Sequence, residues 1–359
     1  MRYSAITILS ACIAASVCVN AANAASETEA AQSQQASAVA RDTETPALRQ
    51  RITGTLVTTE PVGGIVAIDL ATLTSKSIRP TNAGRSAVHS LSEPDEEGRV
   101  MLVTGVVSAE RRYTVHMTNG DKEQTLFTGP GDPLWDNAIS LVSLAPRGGN
   151  AAFVVQPPEN DGKQFRPLLR GPLRLWDSAA GRARDLGITA IGERPSWFPD
   201  GRRFAYAAET VPTGASGSEP PEQIVRILDI STGENTLLAS GHLPLVSSDG
   251  RSVLVTRGRN FELVLIDVAT HTEQKIARAR GLGTPIALID GRYLIYKGRP
   301  TPGAPTGVTT NNSPLVGSKA MMAVKLMDIQ TGQFVTLVPL IDPRSSATAL
   351  ARATPVTKQ

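Results

Sequence analysis

Short apolar stretches recur along the chain, and the polar residues between them repeat. In "RPSWFPDGRRFAYAAE" (194–209) an aromatic pair runs into Pro199, turns on Asp200-Gly201 and resumes as "FAYAA". Asp-Gly between apolar runs is a hairpin signal, because both residues accept the positive φ that a tight, twisted hairpin needs. The same strand–turn–strand pattern appears at Asp249-Gly250 in "LPLVSSDGRSVLVTRG" and at Asp290-Gly291 in "PIALIDGRYLIYKG". Weaker copies turn near Gly148-Gly149 and near Gly98. All of these turns are read as scaffold.

Downstream of the turns comes a second pattern, an apolar alternation ending in Asp before a short Thr/Gly turn. It places Asp69, Asp177, Asp229, Asp267 and Asp328, with Met117-Thr118 at the same point of "YTVHMTNGDK". An aspartate there accepts backbone N–H groups two residues on. A feature repeated this often belongs to the framework rather than to catalysis. The last four aspartates are spaced by 52, 38 and 61 residues, a length that suits four short strands, the unit of a β-propeller.

Six repeats are predicted, over 52–80, 87–129, 139–187, 193–241, 242–281 and 283–338. The first supplies only three strands, and part of 346–354 is expected to return as the fourth. That closure removes the two bare sheet edges of an open ring. The predicted fold class is all-β: a six-bladed propeller of four-stranded antiparallel blades, closed by the C-terminal segment.

The stretch "PSWFPDGRRFAYAA" followed by "VRILDISTGE" resembles the TolB-type propeller repeat, in which Pro-x-Trp-Ser-Pro-Asp-Gly precedes an apolar strand, an Asp and a Thr-Gly turn. Phe198 stands where that repeat has Ser. The fourth repeat matches best, the fifth and sixth keep Asp-Gly but lose Trp and Pro, and the first three are degenerate. Trp176-Asp177 and Gly241-His242 are similar to single elements of WD repeats. The resemblance covers roughly 52–340 and implies the fold. TolB carries an α/β domain before its propeller that residues 25–50 are too few to supply, so its role in the Tol system is not implied. Propellers of this type also gate prolyl-oligopeptidase-like hydrolases, but the sequence holds no Gly-x-Ser-x-Gly elbow.

The N-terminal residues read as a secretory signal over 1–24: Arg2, the apolar run "AITILSACIAASVCV", and a small-x-small Ala22-Asn23-Ala24. The run is too short and too rich in Ala and Ser to span a membrane. Leu9-Ser10-Ala11-Cys12 also has the form of a lipoprotein box. Both cysteines, Cys12 and Cys18, fall inside the signal, so the mature protein is expected to lack disulfides and thiolate chemistry. Residues 25–50 are poor in large apolar side chains and read as a disordered leader, followed by the propeller over 51–354 and a tail over 355–359. The expectation is a periplasmic or secreted monomer.

Charge is nearly balanced, 36 Lys+Arg against 33 Asp+Glu, with the basic residues dispersed, which argues against nucleic acid as a partner. None of His89, His116, His242 and His271 has metal-ligand spacing to another, and neither a calcium loop nor a phosphate loop is present. No metal and no cofactor are predicted. His242 precedes an inner strand and lies nearest the expected channel mouth.

The length from hairpin glycine to the later Asp is 17 residues in the fifth repeat, but 28, 29 and 37 in the fourth, third and sixth. The extra length falls between the second and third strands, whose connections share one face of the disc with those between blades. Long loops on a rigid scaffold are the usual place for binding. Lys163, Arg166 and Arg170 are candidates to meet an acidic group, and Trp135 lies on a connection opening to the same face. The function expected is an exported, non-catalytic propeller binding a protein, peptide or cell-envelope component there. The alternatives are a propeller lyase or hydrolase, and a gating or sensory module for a separate enzyme.

Overall fold

The computed structural model describes residues 45–59, 64–80, 88–106, 112–120, 122–130, 141–155, 170–210, 221–258, 261–276, 283–299, 322–341 and 347–353. They form six four-stranded antiparallel sheets arranged as the blades of a propeller. Blade 2 comprises Val88–Leu91, Val100–Val106, Arg112–Thr118 and Glu123–Pro130; blade 3 comprises Ser143–Leu144, Ala151–Val154, Arg170–Asp177 and Arg182–Ile191. Blade 4 contains Ser196–Trp197, Arg203–Glu209, Gln223–Asp229 and Asn235–Ser240; blade 5 contains His242–Val246, Ser252–Arg257, Glu262–Asp267 and Glu273–Lys275. Blade 6 is built from Pro285–Ile289, Tyr293–Gly298, Met322–Asp328 and Phe334–Ile341.

Blade 1 has the composite make-up expected. Ile52–Thr59, Ile65–Asp69 and Ser75–Arg79 are joined by Ala347–Ala353, which pairs antiparallel with Ile52–Thr59 from Ile52↔Ala353 to Thr58↔Ala347. The approach is tight at Gly54, where a Cβ would lie 2.2 Å from the carbonyl oxygen of Leu350. The predicted leader reached residue 50, but Pro46–Arg51 is a 3₁₀ turn that docks on the propeller. Leu48, the one large aliphatic residue there, is buried, Thr45 N–H donates to Phe334 O at 2.8 Å, and Arg49 donates to Thr336 O at 3.2 Å.

Why the strands read as they do becomes clear from what each face meets. Phe204 and Tyr206 of blade 4 pack with Leu173 and Leu175 of blade 3, while Ala205 and Val225 face Val253 and Val255 of blade 5. The run "FAYAA" is apolar throughout because both faces of the strand are covered. Comparable clusters join blades 2 and 3 through Phe153 and Trp176, and blades 5 and 6 through Leu254 and Leu294. Leu91 and Leu102 meet Val57 between blades 1 and 2, and Ile295 and Leu326 meet Leu56 and Ala349 across the closure. Directed hydrogen bonds accompany the packing: Trp197 Nε1 donates to Ser143 O at 3.0 Å, and Val246 N donates to Ser196 Oγ at 2.9 Å.

The Asp-Gly turns are not used alike. In blade 6, Asp290 and Gly291 both take positive φ (48° and 63°) inside a turn closed by Arg292 N to Ile289 O, and Ile289 pairs with Tyr293, so the loop has three residues rather than the two read from the sequence. Blade 4 differs. Phe198 N bonds Arg203 O, Gly201 N bonds Phe198 O, and only Gly201 has positive φ (66°). Pro199 suits the second position of a type I turn, which moves Gly to the left-handed position that follows. Blade 5 matches blade 4, with Gly250 N donating to Ser247 O and Asp249 Oδ1 accepting Arg251 N.

The aspartates that end the third strands behave uniformly. Asp69 accepts the N–H groups of Ala71 and Thr72, Asp177 those of Ala179 and Ala180, and Asp229 those of Ser231 and Thr232. Asp267 accepts from Ala269 and Thr270, and Asp328 from Gln330 and Thr331. Thr118 stands in for the aspartate in blade 2 by accepting from Gly120 N. Hydrogen bonds hold three of these carboxyls below the ordinary 3.8, first from Thr72 N–H at Asp69, the Ser231 hydroxyl at Asp229 and Thr270 N–H at Asp267. At Asp328 burial pushes upward, and Arg292 with the turn N–H groups outweighs it.

Two predictions follow from this framework. Removing 347–359 strips blade 1 of its inner strand and bares the edge at Ile52–Thr59, so the protein should lose cooperative melting, become protease-sensitive and aggregate; unchanged melting would contradict the closure. The second concerns pH. A depressed folded-state carboxyl means that the unfolded chain binds more protons near pH 4, so stability is full above that range and falls as pH drops through it. Tyr296 acts oppositely: burial pushes its hydroxyl up from 10.0 to about 12, so the unfolded chain ionises first and stability falls as pH rises above 10. Burial lowers the His116 pKa below 6.5, so the unfolded chain takes up that proton first; melting temperature is expected to be flat between about pH 7 and 9 and to fall on both sides.

Candidate binding face

Antiparallel order sends the two ends of every blade to opposite faces. The hairpin glycines and the aspartate turns share one face, tied together where the residue after each aspartate donates back to the second strand, as Ile230 N does to Arg202 O and Val268 N to Arg251 O. The other face receives the ends of the second strands and the starts of the third. Val154 and Arg170, Glu209 and Gln223, and Gly298 and Met322 are therefore the borders of the three long connections.

The axis between the faces is narrow. A cavity of about 80 Å³ is lined by inner-strand residues of five blades, among them Ser143, Ser196, Val246, Ala287 and Ala349, and by Glu93, Pro94 and Glu96 after the inner strand of blade 2. That volume admits a few waters. Its charged groups are internally engaged. Arg194 reaches across from blade 4, donating to Glu93 Oε1 at 3.2 Å and Leu91 O at 2.7 Å, while Ser143 Oγ donates to Glu93 Oε2 at 3.0 Å. Toward the turn face, Glu96 accepts from Arg147 at 2.9 Å and from Arg352; the Arg147 hydrogen bond is the main cause of its lowered pKa.

On the loop-bearing face the connection Gly192–Pro195 carries Glu193, whose carboxylate spans to blade 5. Its Oε1 lies 2.9 Å from His242 Nδ1, and its Oε2 accepts the Leu243 N–H at 2.5 Å. A carboxylate can only accept here, so Nδ1 carries the proton. Leu243 is left-handed (φ 50°) and the strand register is broken between His242 and Leu245, so Glu193 holds a bulge as well as an imidazole. The two side chains are 15 % and 17 % exposed, which makes this pair more than a solvated surface contact. Phe261 stands beside it, its ring centroid 6.5 Å from that of His242, at an interplanar angle of 61°.

The sequence-derived candidates divide accordingly. Trp135, Lys163 and Arg166 lie outside the described residues. Arg170 is exposed and pairs with Glu209 at 3.3 Å, and no hydrogen bond or ring contact joins it to His242. His116 is a strand residue bonded to Thr104 and Thr125; burial, helped by the Arg79 charge and opposed by the Glu123 carboxylate, lowers its pKa. His271 occupies the left-handed position of the Asp267 turn (φ 56°). Glu193, Arg194 and Phe261 were missed. An acidic–basic pair in a very short connection, and a phenylalanine within the polar "RGRNFE", were the available signals. Among the described residues no group of three or more His, Cys, Asp or Glu is placed to hold a metal.

No protein-family model matches the chain, and no curated protein matches it in sequence. Among solved structures, TolB from Acinetobacter baumannii superposes with a TM-score of 0.52 at 14 % identity, over 85 % of this chain and 66 % of that one. The fold is a TolB-type six-bladed propeller. The propeller is also similar to a chain of a nidogen/laminin complex (TM-score 0.53, 12 % identity, 83 % of this chain and 97 % of that one). An oligogalacturonate lyase in complex with manganese aligns at a TM-score of 0.48 and 13 % identity, over 68 % and 70 % of the two chains. Identities this low establish the shared fold alone.

Glu193→Ala should release both the imidazole and the Leu243 N–H. Hydrogen bonds to a charged group contribute about 1.5–3 kcal/mol each, so a loss of at least about 1.5 kcal/mol in a denaturant titration is expected. His242→Ala, which keeps the bond to Leu243, should cost less; the reverse order would contradict the geometry.

Proposed function

We propose that this is an exported, non-catalytic propeller that binds a protein, peptide or cell-envelope component on its loop-bearing face. One observation carries the reading. The strands bordering the three long connections all end on the face that holds the Glu193–His242 pair and Phe261, whereas the opposite face consists of turns whose polar groups satisfy one another. The signal-like segment 1–24 supports export, and no helix among the described residues is long and apolar enough to cross a membrane. The nidogen/laminin complex shows that a propeller of this shape occurs in a protein assembly. Within this reading Lys163, Arg166, Arg170 and Trp135 belong to the contact surface, and the protein acts as a monomer with no cofactor.

A second reading rests on one feature. A carboxylate-held imidazole is the arrangement of a general base, which would suit a propeller lyase or hydrolase. No hydroxyl or thiol among the described residues bonds His242.

Shortening 300–318 discriminates scaffold from binding surface. Loop length enters closure entropy only logarithmically, about 0.6 kcal/mol per doubling, so melting should stay close to that of the parent. Proteins retained from an envelope extract by the parent domain should be lost by the shortened one. Unfolding of the variant, or identical retention, would refute the proposal.

A further inference from the structure

Blades 3 and 4 meet over an apolar seam that changes character at the circumference of the disc. Leu173 and Leu175 of blade 3 bury against Phe204, Tyr206 and Leu228 of blade 4. Residues opposed in an antiparallel pair share a face of the sheet, so the register follows each side of the seam outward. In blade 3, Arg184 is opposite Leu175 and Arg182 is opposite Asp177. In blade 4, Arg226 is opposite Tyr206, and Leu237 is opposite Arg226. The outer strand of blade 3, Arg182–Ile191, packs beside the second strand of blade 4, Arg203–Glu209. The two outer strands of blade 4 therefore project past it as a shelf, with the outer strand of blade 3 as its wall.

The shelf is basic with an apolar point. Leu237 is 52 % exposed there. Arg182 and Arg184 are exposed and, as alternate residues of one strand, stand about 7 Å apart on the same side. The Arg226 guanidinium is fixed: Nε donates to Asn235 Oδ1 at 3.0 Å and Nη2 donates to Asn235 O at 2.6 Å. Tyr206 donates to the same Oδ1 at 3.0 Å. A guanidinium already held in place loses little freedom on meeting an anion. The carboxylates of these strands are engaged. Asp177 accepts the Ala179 and Ala180 N–H groups, Glu209 pairs with Arg170 at the loop end, and Asp185 is opposite Arg174 on the other side of blade 3. Three arginines against Asp177 leave the strand residues of the seam with positive charge.

We infer that this shelf is a docking site for an extended acidic peptide segment of a partner protein, with carboxylates on alternate residues and apolar side chains between them. Alternate residues of an extended peptide are also about 7 Å apart, so its carboxylates match Arg182 and Arg184. The residue between them points the other way and is placed to cover Leu237. The surface lies on the circumference, so the inference goes beyond the loop-face reading and does not depend on it.

The test is saturation-transfer NMR on the purified protein with the pentapeptides ELELE, EGEGE and KLKLK, each capped at both ends. ELELE should bind with a dissociation constant of about 1 mM or tighter, EGEGE more weakly, and KLKLK not at all. Raising salt from about 0.05 to about 0.5 M should weaken ELELE severalfold, because exposed charges are screened. The double variant Arg182→Gln/Arg184→Gln should lose at least about fivefold in affinity, and Leu237→Ser should also weaken binding. Both should melt as the parent does, because the substituted side chains are exposed. Arg251→Gln, at an exposed arginine on the turn face, should leave ELELE binding unchanged. The inference is overturned if ELELE does not bind, if KLKLK binds as well, or if the folded double variant binds as the parent does. Binding of a heparin hexasaccharide in place of ELELE would assign the arginines to a sulfated glycan and overturns it too. The protein shortened over 300–318 should keep its affinity for ELELE, so this inference and the proposed function fail separately.

Discussion

Every blade of this protein buries both of its faces against neighbours, and that requirement governs the rest of the structure. A four-stranded sheet with two apolar faces has no stable existence alone, because each face needs a partner. Here Phe204 and Tyr206 need blade 3, Ala205 and Val225 need blade 5, and the same dependence passes around the ring until Ile295 and Leu326 need blade 1. Closure is therefore part of the core. Ala347–Ala353 supplies the edge pairing, and Ala349 and Ala351 also fill the last inter-blade cluster.

The two rims of the disc do different physical work. On the turn rim, backbone N–H groups meet the aspartates, and arginines such as Arg203 and Arg292 meet Asp200 and Asp328. Little hydrogen-bonding capacity is left over for a ligand. The loop-bearing rim has a bulged inner strand, a left-handed leucine, a left-handed exposed phenylalanine and an imidazole whose Nε2 bonds none of the described residues. Left-handed non-glycine residues occur on both rims, Leu73, His271 and Asp290 at the turns and Leu243 and Phe261 at the loops.

The charged groups near the axis engage one another. Arg194, Glu93 and Ser143 link blades 2, 3 and 4 by hydrogen bonds beside the axial cavity. Glu193 and His242 stand on the loop-bearing side of the ring.

Repetition made the architecture legible in the sequence. Hairpin turns and strand-ending aspartates depend on neighbours within a few residues, so "SWFPDGRRFAYAA" and "VRILDISTGE" declare their strands locally, and copies at regular spacing declare a ring. The missing strand of the first repeat even announced its replacement near the C-terminus. Turn details were less accessible: Asp-Gly looks the same in blades 4 and 6, but Pro199 shifts the glycine by one position in the first. Of the site, His242 could be singled out as the histidine entering an inner strand, while its partners could not. Glu193 and His242 are 49 residues apart, and Phe261 reaches them only because blade 5 brings the end of its second strand beside the start of its first. The sequence by itself determined the strands, their repeat and the closure, because those follow from local backbone preference and alternating burial. Which polar side chains meet at the rim was decided only by the tertiary structure, because that depends on how the blades rotate about a common axis, and no local pattern encodes it.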